Sequence, residues 1–399
     1  MAMNETERFS AVTSEQRRLS ILGATGSVGS STVDLVRRNP DRFNVVALTA
    51  NRSGRELAAL ASELRPEIAV VSDPEAYDSL KQGLSGTQVE VAAGPDALVD
   101  AARAQADLTI VGIVGAAGLD ATLAAIGQGG SVALANKECL VCAGELVLEA
   151  CARAGTILLP LDSEHNAIFQ VFESENAVDV EKLILTASGG PFRTWTREQM
   201  ASATPNQAIA HPNWDMGRKI SVDSATMMNK GLELIEAAYL FPVAAQDIEV
   251  LVHPQSVVHS MVAYRDGSVL AQMGPSDMRV PIAYALAWPA RMQSPVERLD
   301  LARIGSLTFE APDVERFPAI ALSRSALEAG NGATAVLNAA NEIAVARFLE
   351  GTVGFLDISA LVDRTLELVE GGPVRSLDDF RELDARTRSV TESLVKSGF

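Results

Sequence analysis

Positive charge is in short supply in this sequence, where 33 Lys and Arg stand against 51 Asp and Glu for a net charge of −18. That balance argues against a nucleic-acid partner, since phosphate backbones are held mainly by clustered Lys and Arg. Any anionic ligand has to be held by a local site. Cysteine is scarce too: Cys139, Cys142 and Cys151 are too few and too unevenly spaced for a disulfide framework in 399 residues. Cys139 and Cys142 form a CxxC spacing, but inside an apolar, helix-like segment that reads as buried thiols rather than redox or zinc chemistry. Long apolar runs are missing. The longest uncharged one, Leu108 to Leu119, has 12 residues, against the roughly 20 that span a bilayer. Met1 to Arg18 is polar and mixed in charge, with no apolar signal core and too much acid for a transit peptide. The expectation is a loose tail over 1–18 and a cytoplasmic protein.

What is present is organised in three parts. From Leu19 to about Leu159, short β-branched runs alternate with helical stretches, the pattern of a parallel sheet covered by helices. Strands are expected at Leu19 to Leu22, Val45 to Thr49, Ile68 to Val71, Val89 to Ala92, Leu108 to Val111 and Ser131 to Leu134. Another, Thr156 to Leu161, opens a region rich in Ser, Gly, His and Pro, and Val250 to Gln272 reads as sheet with a turn at Asp266 and Gly267. Helical spacing closes the chain, as in Leu322, Ala326, Ala333, Leu337, Ala340, Ala344 and Phe348. The expected fold is therefore α/β. A nucleotide-binding domain of Rossmann type covers 19–160, and a central α+β catalytic domain with a mostly antiparallel sheet covers 161–285, including a flexible loop about 204–217. A linker (286–318) and an α-helical domain (319–399) follow.

The first expected strand runs into Gly23-Ala-Thr-Gly26-Ser-Val-Gly29 and then a helical stretch. Glycines between strand and helix let the backbone approach a pyrophosphate, and the amides of Thr25, Gly26, Ser27 and Val28 offer donors to it. The second strand ends in Ala50-Asn51-Arg52, without the acid that usually meets an NAD ribose. Arg52 can instead meet a 2′-phosphate, so the charge logic favours NADPH, unless Arg52 is simply a solvated loop cation.

Asp162 and Glu164 follow an apolar run and, two apart in an extended stretch, project to one side. Close carboxylates are costly without a cation between them, and oxygen ligands suit Mg2+ or Mn2+. Solvated loop acids explain a lone DxE as well. A helix from about Ala225 would put Asn229, Lys230 and Glu233 on one face, pairing an anion-binding amide and ammonium with a further carboxylate. The alternative is a surface Lys230 to Glu233 pair. Thr186-Ala-Ser188-Gly-Gly-Pro-Phe-Arg193 is a strand end opening into glycines, fit to hold phosphate oxygens. His211 to Gly217, with Trp214 between them, has the make-up of a lid.

Seven separated strings now coincide: Gly23 to Gly29, Ala135-Asn-Lys-Glu138, Leu161-Asp-Ser-Glu-His-Asn166, Ala187 to Phe192, His211 to Gly217, Met228-Asn-Lys-Gly-Leu-Glu233 and His253-Pro-Gln-Ser256. In that order they resemble the 1-deoxy-D-xylulose 5-phosphate reductoisomerase family across most of the chain, and Asn338 to Glu342 resembles its C-terminal domain. The resemblance implies a metal-dependent rearrangement of 1-deoxy-D-xylulose 5-phosphate, then reduction by NADPH to 2-C-methyl-D-erythritol 4-phosphate, a step of non-mevalonate isoprenoid synthesis. It implies metal ligation (Mg2+, Mn2+ or Co2+) by Asp162, Glu164 and Glu233, and phosphate binding by Ser188, Ser224, Asn229 and Lys230. Lys137, Ser163, His211 and Trp214 would surround the substrate, with Lys137, Glu164 and His211 catalytic. Gly23, Thr25, Gly26, Ser27, Val28, Ala50, Asn51, Arg52, Asn136, Glu138 and Gly217 would contact NADPH. At Ala50 to Arg52 the chain departs from a more glycine- and lysine-rich version in some relatives. A homodimer is implied by the resemblance alone. Rival readings are an NADP-dependent dehydrogenase of another phosphorylated aldehyde, with no rearrangement, and a non-catalytic nucleotide sensor.

Overall fold

The structure is a computed structural model that describes residues 16–214 and 216–399. Most of the tail expected over 1–18 lies outside the described residues, but Arg17 and Arg18 already belong to a strand. Seven strands form the first sheet: β1 (Arg17–Leu22), β2 (Phe43–Ala50), β3 (Ile68–Val71), β4 (Glu90–Ala93), β5 (Leu108–Val111), β6 (Ser131–Leu134) and β7 (Ile157–Pro160). Every pairing is parallel, in the order β4-β3-β2-β1-β5-β6-β7. Strands covered on both faces need unbroken apolar runs, and β5 and β6 are buried at every position. The order reverses between β1 and β5, which opens a crevice at the carboxyl ends of the strands. β7 belongs to this sheet rather than opening a new region; Pro160 is tolerated there because β7 is an edge strand.

The second sheet holds β8 (Val180–Ala187), β9 (Ile248–Val252), β10 (Val258–Tyr264) and β11 (Val269–Met273) in the order β11-β10-β8-β9. It is mixed, which corrects the mostly antiparallel sheet expected from sequence. β10 runs antiparallel to β8 and β11, whereas β8 and β9 are parallel. The β10–β11 hairpin was legible through Asp266 and Gly267, but β9 returns to β8 by a long helical crossover, and such a connection gives parallel strands.

Helices complete the architecture. They include α1 (Ser27–Arg37), α2 (Glu138–Ala154), α3 (Ser163–Val171), α4 (Arg218–Ala225), α5 (Met228–Leu240) and α6 (Arg279–Ala287). The C-terminal set is α7 (Ala319–Ala329), α8 (Ala333–Leu349), α9 (Phe355–Leu368) and α10 (Leu377–Ser397). The cores interlock: Ile282 and Leu286 of α6 pack with Leu19 and Val33 of the first sheet and its helix, while Phe348, Phe355 and Leu361 pack with Leu183 and Val250 of the second sheet. The 286–318 stretch is tied down, since the Trp288 carbonyl accepts from Arg17 and the Glu310 backbone bridges Val252. All three cysteines are buried and free. Burial pushes the Cys139 thiol up to about 12 and that of Cys151 to about 11, so neither is a thiolate near neutrality. Among the described residues, no helix is long and apolar enough to cross a membrane.

Candidate functional site

The glycine-rich turn joins β1 to α1, whose first turn is Ser27 and Val28 behind Gly26. Gly29 cannot be replaced without collision, because a Cβ there would stand 2.2 Å from the Gly23 carbonyl oxygen. Asn51 and Arg52 follow β2 at the same edge of the sheet. Arg52 is not unpartnered: its Nε donates to Asp73 at 2.7 Å, although its side chain stays 81% exposed. That carboxylate comes from beyond β3, so the residues around β2 could not disclose it. Asn136, after β6, donates to the carbonyls of Ile113 and Gly115 at 2.6 and 2.8 Å and so braces the loop after β5.

β7 runs within two residues into α3. Asp162 caps that helix, its side chain accepting from the Glu164 amide, and Glu164 lies in the first turn. The two acids are therefore not in an extended stretch as expected; a cap folded back over its own helix brings them together. The helix expected from Ala225 is really two. Thr226 donates to the Val222 and Asp223 carbonyls and accepts from the Met228 amide, and Met227 takes φ 64. Ser224 thus lies in the last turn of α4, while Asn229, Lys230 and Glu233 occupy the first turns of α5, where the helix dipole favours an anion.

The side-chain oxygens of Asp162, Glu164 and Glu233 lie within 4.8 Å of one another. Lys137 pairs with Asp162 and lies 3.0 Å from Glu233 Oε1; Lys230 pairs with Glu233 and lies 3.8 Å from Glu164 Oε1. Behind them His165 donates to the Glu233 carbonyl at 2.8 Å, if its Nε2 carries a proton, and its Nδ1 stands 2.9 Å from Glu236 Oε2. Burial pulls the His165 value down, but Glu236 outweighs it and holds the imidazole at about 9. His165 thus lies between the Glu233 carbonyl and the Glu236 carboxylate, directly behind the three clustered carboxylates. Four carboxylates here face three cations. Burial, with Glu233 and Asp162 close by and Lys230 opposing, pushes the Glu164 carboxyl up to about 8. Three carboxyl groups brought this close offer hard oxygen donors of the kind that suit a divalent ion such as Mg2+ or Mn2+.

Across the cleft, Ser188 follows β8. Its Oγ accepts from the Gly190 amide at 3.1 Å and lies 3.0 Å from His211 Nε2. The tautomer of His211 follows from its other nitrogen, since Nδ1 accepts from the Asn213 and Trp214 amides at 3.2 and 3.0 Å. The proton therefore sits on Nε2 and is donated to Ser188, and burial holds His211 neutral by lowering it to about 4. With both acceptor positions of Ser188 Oγ filled, its own proton is left to donate to a ligand. The loop expected at about 204–217 starts with a helical turn, Pro205–Ala208, and only then becomes irregular.

One cleft joins Ser27, Val28 and Gly217 of the expected nucleotide set with Lys137, Asp162, Ser163, Glu164, Ser188, His211, Trp214, Ser224, Asn229, Lys230 and Glu233. Gly23, Thr25, Gly26, Ala50, Asn51, Arg52, Asn136 and Glu138 do not face it. Ser256 and Met278 also line it and were not assigned from sequence. Ser256 had a signal in its proximity to His253, and φ 49 and a bond from Asn213 fix it there; Met278 had none.

Family models described as 1-deoxy-D-xylulose 5-phosphate reductoisomerase match residues 19–144, and two C-terminal domain models of that enzyme match 158–241 and 273–390. The chain is 56% identical over 398 residues to the reductoisomerase of Rhodospirillum centenum, covering 100% of this chain and 99% of the relative. It is 54% identical to that of Zymomonas mobilis, over 96% and 99% of the two chains. The solved Zymomonas mobilis enzyme in complex with NADPH superposes with a TM-score of 0.92 at 53% identity, over 96% of this chain and 100% of that one. A second solved reductoisomerase, in complex with NADPH, fosmidomycin and magnesium, gives 0.91 at 43% identity, over 95% and 98%. With full-length relatives above half identity and models matched along its length, this chain belongs to the 1-deoxy-D-xylulose 5-phosphate reductoisomerase family.

Proposed function

We infer that the chain rearranges 1-deoxy-D-xylulose 5-phosphate and reduces the product with NADPH to 2-C-methyl-D-erythritol 4-phosphate, in the non-mevalonate route to isoprenoid precursors. The observation that carries this is a single cleft lined by the three clustered carboxylates, by Ser188, Ser224, Asn229 and Lys230, and by Ser27 and Val28 at the end of the glycine-rich turn. A divalent ion held by Asp162, Glu164 and Glu233 supplies Lewis acidity for the rearrangement, and NADPH supplies the hydride.

The residues of the chain do the rest. Ser188 and Ser224 donate hydroxyls to the phosphate, and Asn229 and Lys230 present an amide and an ammonium to it at the start of α5. Ser163 donates to Glu164 Oε2 at 2.7 Å and steers that carboxylate. Lys137, paired with Asp162 and Glu233, and Glu164 hold the protons that the rearranging hydroxyls and carbonyl exchange. His211, neutral, keeps the Ser188 proton turned toward the substrate. Trp214 covers the cleft and excludes water before reduction. On the cofactor side Gly23, Thr25, Gly26, Ser27 and Val28 take the pyrophosphate, Ala50, Asn51 and Arg52 the adenosine ribose and its phosphate, and Asn136, Glu138 and Gly217 the nicotinamide half. The working form is a homodimer, and β11 offers a free sheet edge with Val269 and Leu270 exposed for it.

The test follows NADPH absorbance with 1-deoxy-D-xylulose 5-phosphate, with and without Mg2+ or Mn2+. Oxidation that requires both sugar phosphate and metal is expected. Oxidation indifferent to metal points to a plain dehydrogenase, and none at all removes the reading.

A further inference from the structure

Lys219 has no part in the chemistry above and does not face the cleft. Its side chain is nevertheless only 26% exposed, and its ammonium holds two carboxylates, that of Asp223 four residues on in its own helix α4 and that of Glu138 from α2. Nζ lies 3.1 Å from Glu138 Oε1 and 2.8 Å from Asp223 Oδ2. Burial opposes the charge on Lys219, but Asp223 and Glu138 outweigh it and hold the ammonium above the ordinary lysine range. Glu138 is the first residue of α2 and directly follows Asn136 and Lys137. Asp223 directly precedes Ser224 on α4 and is 1% exposed. Its other oxygen accepts from the fully buried Asn341 of α8 at 2.8 Å. The ammonium thus ties α4 to the nucleotide-side segment, and Asp223 ties the same helix to α8.

We propose that Lys219 is a positioning residue for hydride transfer, whose bridge between Glu138 and Asp223 sets the spacing between the cofactor-binding segment 136–138 and the phosphate-holding Ser224. The proposal rests on the functional reading above. Hydride transfer needs donor and acceptor carbons in contact, and a misplacement of about 1 Å costs on the order of 100-fold in rate. Without the ammonium, Glu138 and Asp223 are buried carboxylates that lose a shared partner, and the two elements part or take up water.

The test uses the full-length enzyme with sugar phosphate, Mn2+ and either NADPH or NADPH deuterated at the transferred position. Lys219→Met keeps the stem and deletes the charge, Lys219→Gln keeps hydrogen-bond donors, and Lys219→Arg keeps both charge and reach. In Lys219→Met, turnover per folded enzyme falls about 100-fold. Its deuterium isotope effect rises as hydride transfer becomes slowest. Mn2+ binding to the free enzyme, read by the spin resonance of the ion, stays as in wild type because Lys219 touches none of the three metal-binding carboxylates. Lys219→Arg regains most of the rate. If Lys219→Met does not fold, the same fall and rise are expected of Lys219→Gln. A rate that falls only with the folded fraction at a wild-type isotope effect, or an arginine variant as slow as the methionine one, overturns the positioning role. A wild-type protein that oxidises no NADPH overturns the functional reading instead.

Discussion

His211 carries its proton on the nitrogen that faces Ser188, and its burial has a measurable cost in acid. Its value in the fold is about 4, against an ordinary 6.5. Because the folded value is depressed, the unfolded chain takes up the proton first. The neutral residue costs nothing above pH 6.5, and stability is lost progressively as pH falls from there toward 4. His211→Asn is expected to lose less thermal stability than wild type between pH 6.5 and 4, measured by melting temperature across that window. Equal acid sensitivity in the two proteins removes the assignment. Lys137 and Glu164, by contrast, sit inside an ion cluster, and each takes its character from the others.

The phosphate side depends on how closely two elements approach. Gly190 takes φ 66, and a Cβ there would stand 2.7 Å from the Ser224 carbonyl oxygen and 3.0 Å from Ala225 Cα. Gly190→Ala meets backbone rather than a flexible side chain, so α4 has to shift with Ser224 on it. A stability loss of about 2 kcal/mol is expected from the left-handed conformation and overpacking together. On the proposed role of Ser224 as a phosphate donor, the KM for the sugar phosphate should rise about tenfold, since that donor is displaced. Unchanged melting and KM would mean that the turn after β8 and α4 yield independently. Elements of this kind divide by legibility. The fingerprint turn and the β10–β11 hairpin could be read from sequence because their signals are local, whereas Asp162, Glu164 and Glu233 were brought into one set by the family resemblance. The parallel β9, the break at Thr226 and Met227, and the Asp162 cap could not, since each depends on what a distant segment or a folded-back side chain supplies. Arg52 shows the same limit: its partner Asp73 is adjacent in space, not along β2.

At the scale of the molecule, the second sheet ends in β11, whose first three residues are exposed. An edge strand with exposed apolar residues is ready to pair with a copy of itself about a two-fold axis. Wild type is expected to sediment as a dimer. Introducing lysines at Val269 and Leu270 together should shift it toward monomer without altering the melting of the individual chain. A wild-type monomer, or a lysine variant that remains dimeric, removes β11 as the interface.

β7 and α3 meet with only Leu161 and the capping Asp162 between them. The first sheet therefore has no detachable hinge: its last strand is also the ruler that places Asp162, the first of the three clustered carboxylates. Even a single residue spliced in after Pro160 would displace Asp162 and α3 together from the sheet edge that places them, so the length of this joint is fixed by the geometry of the cleft.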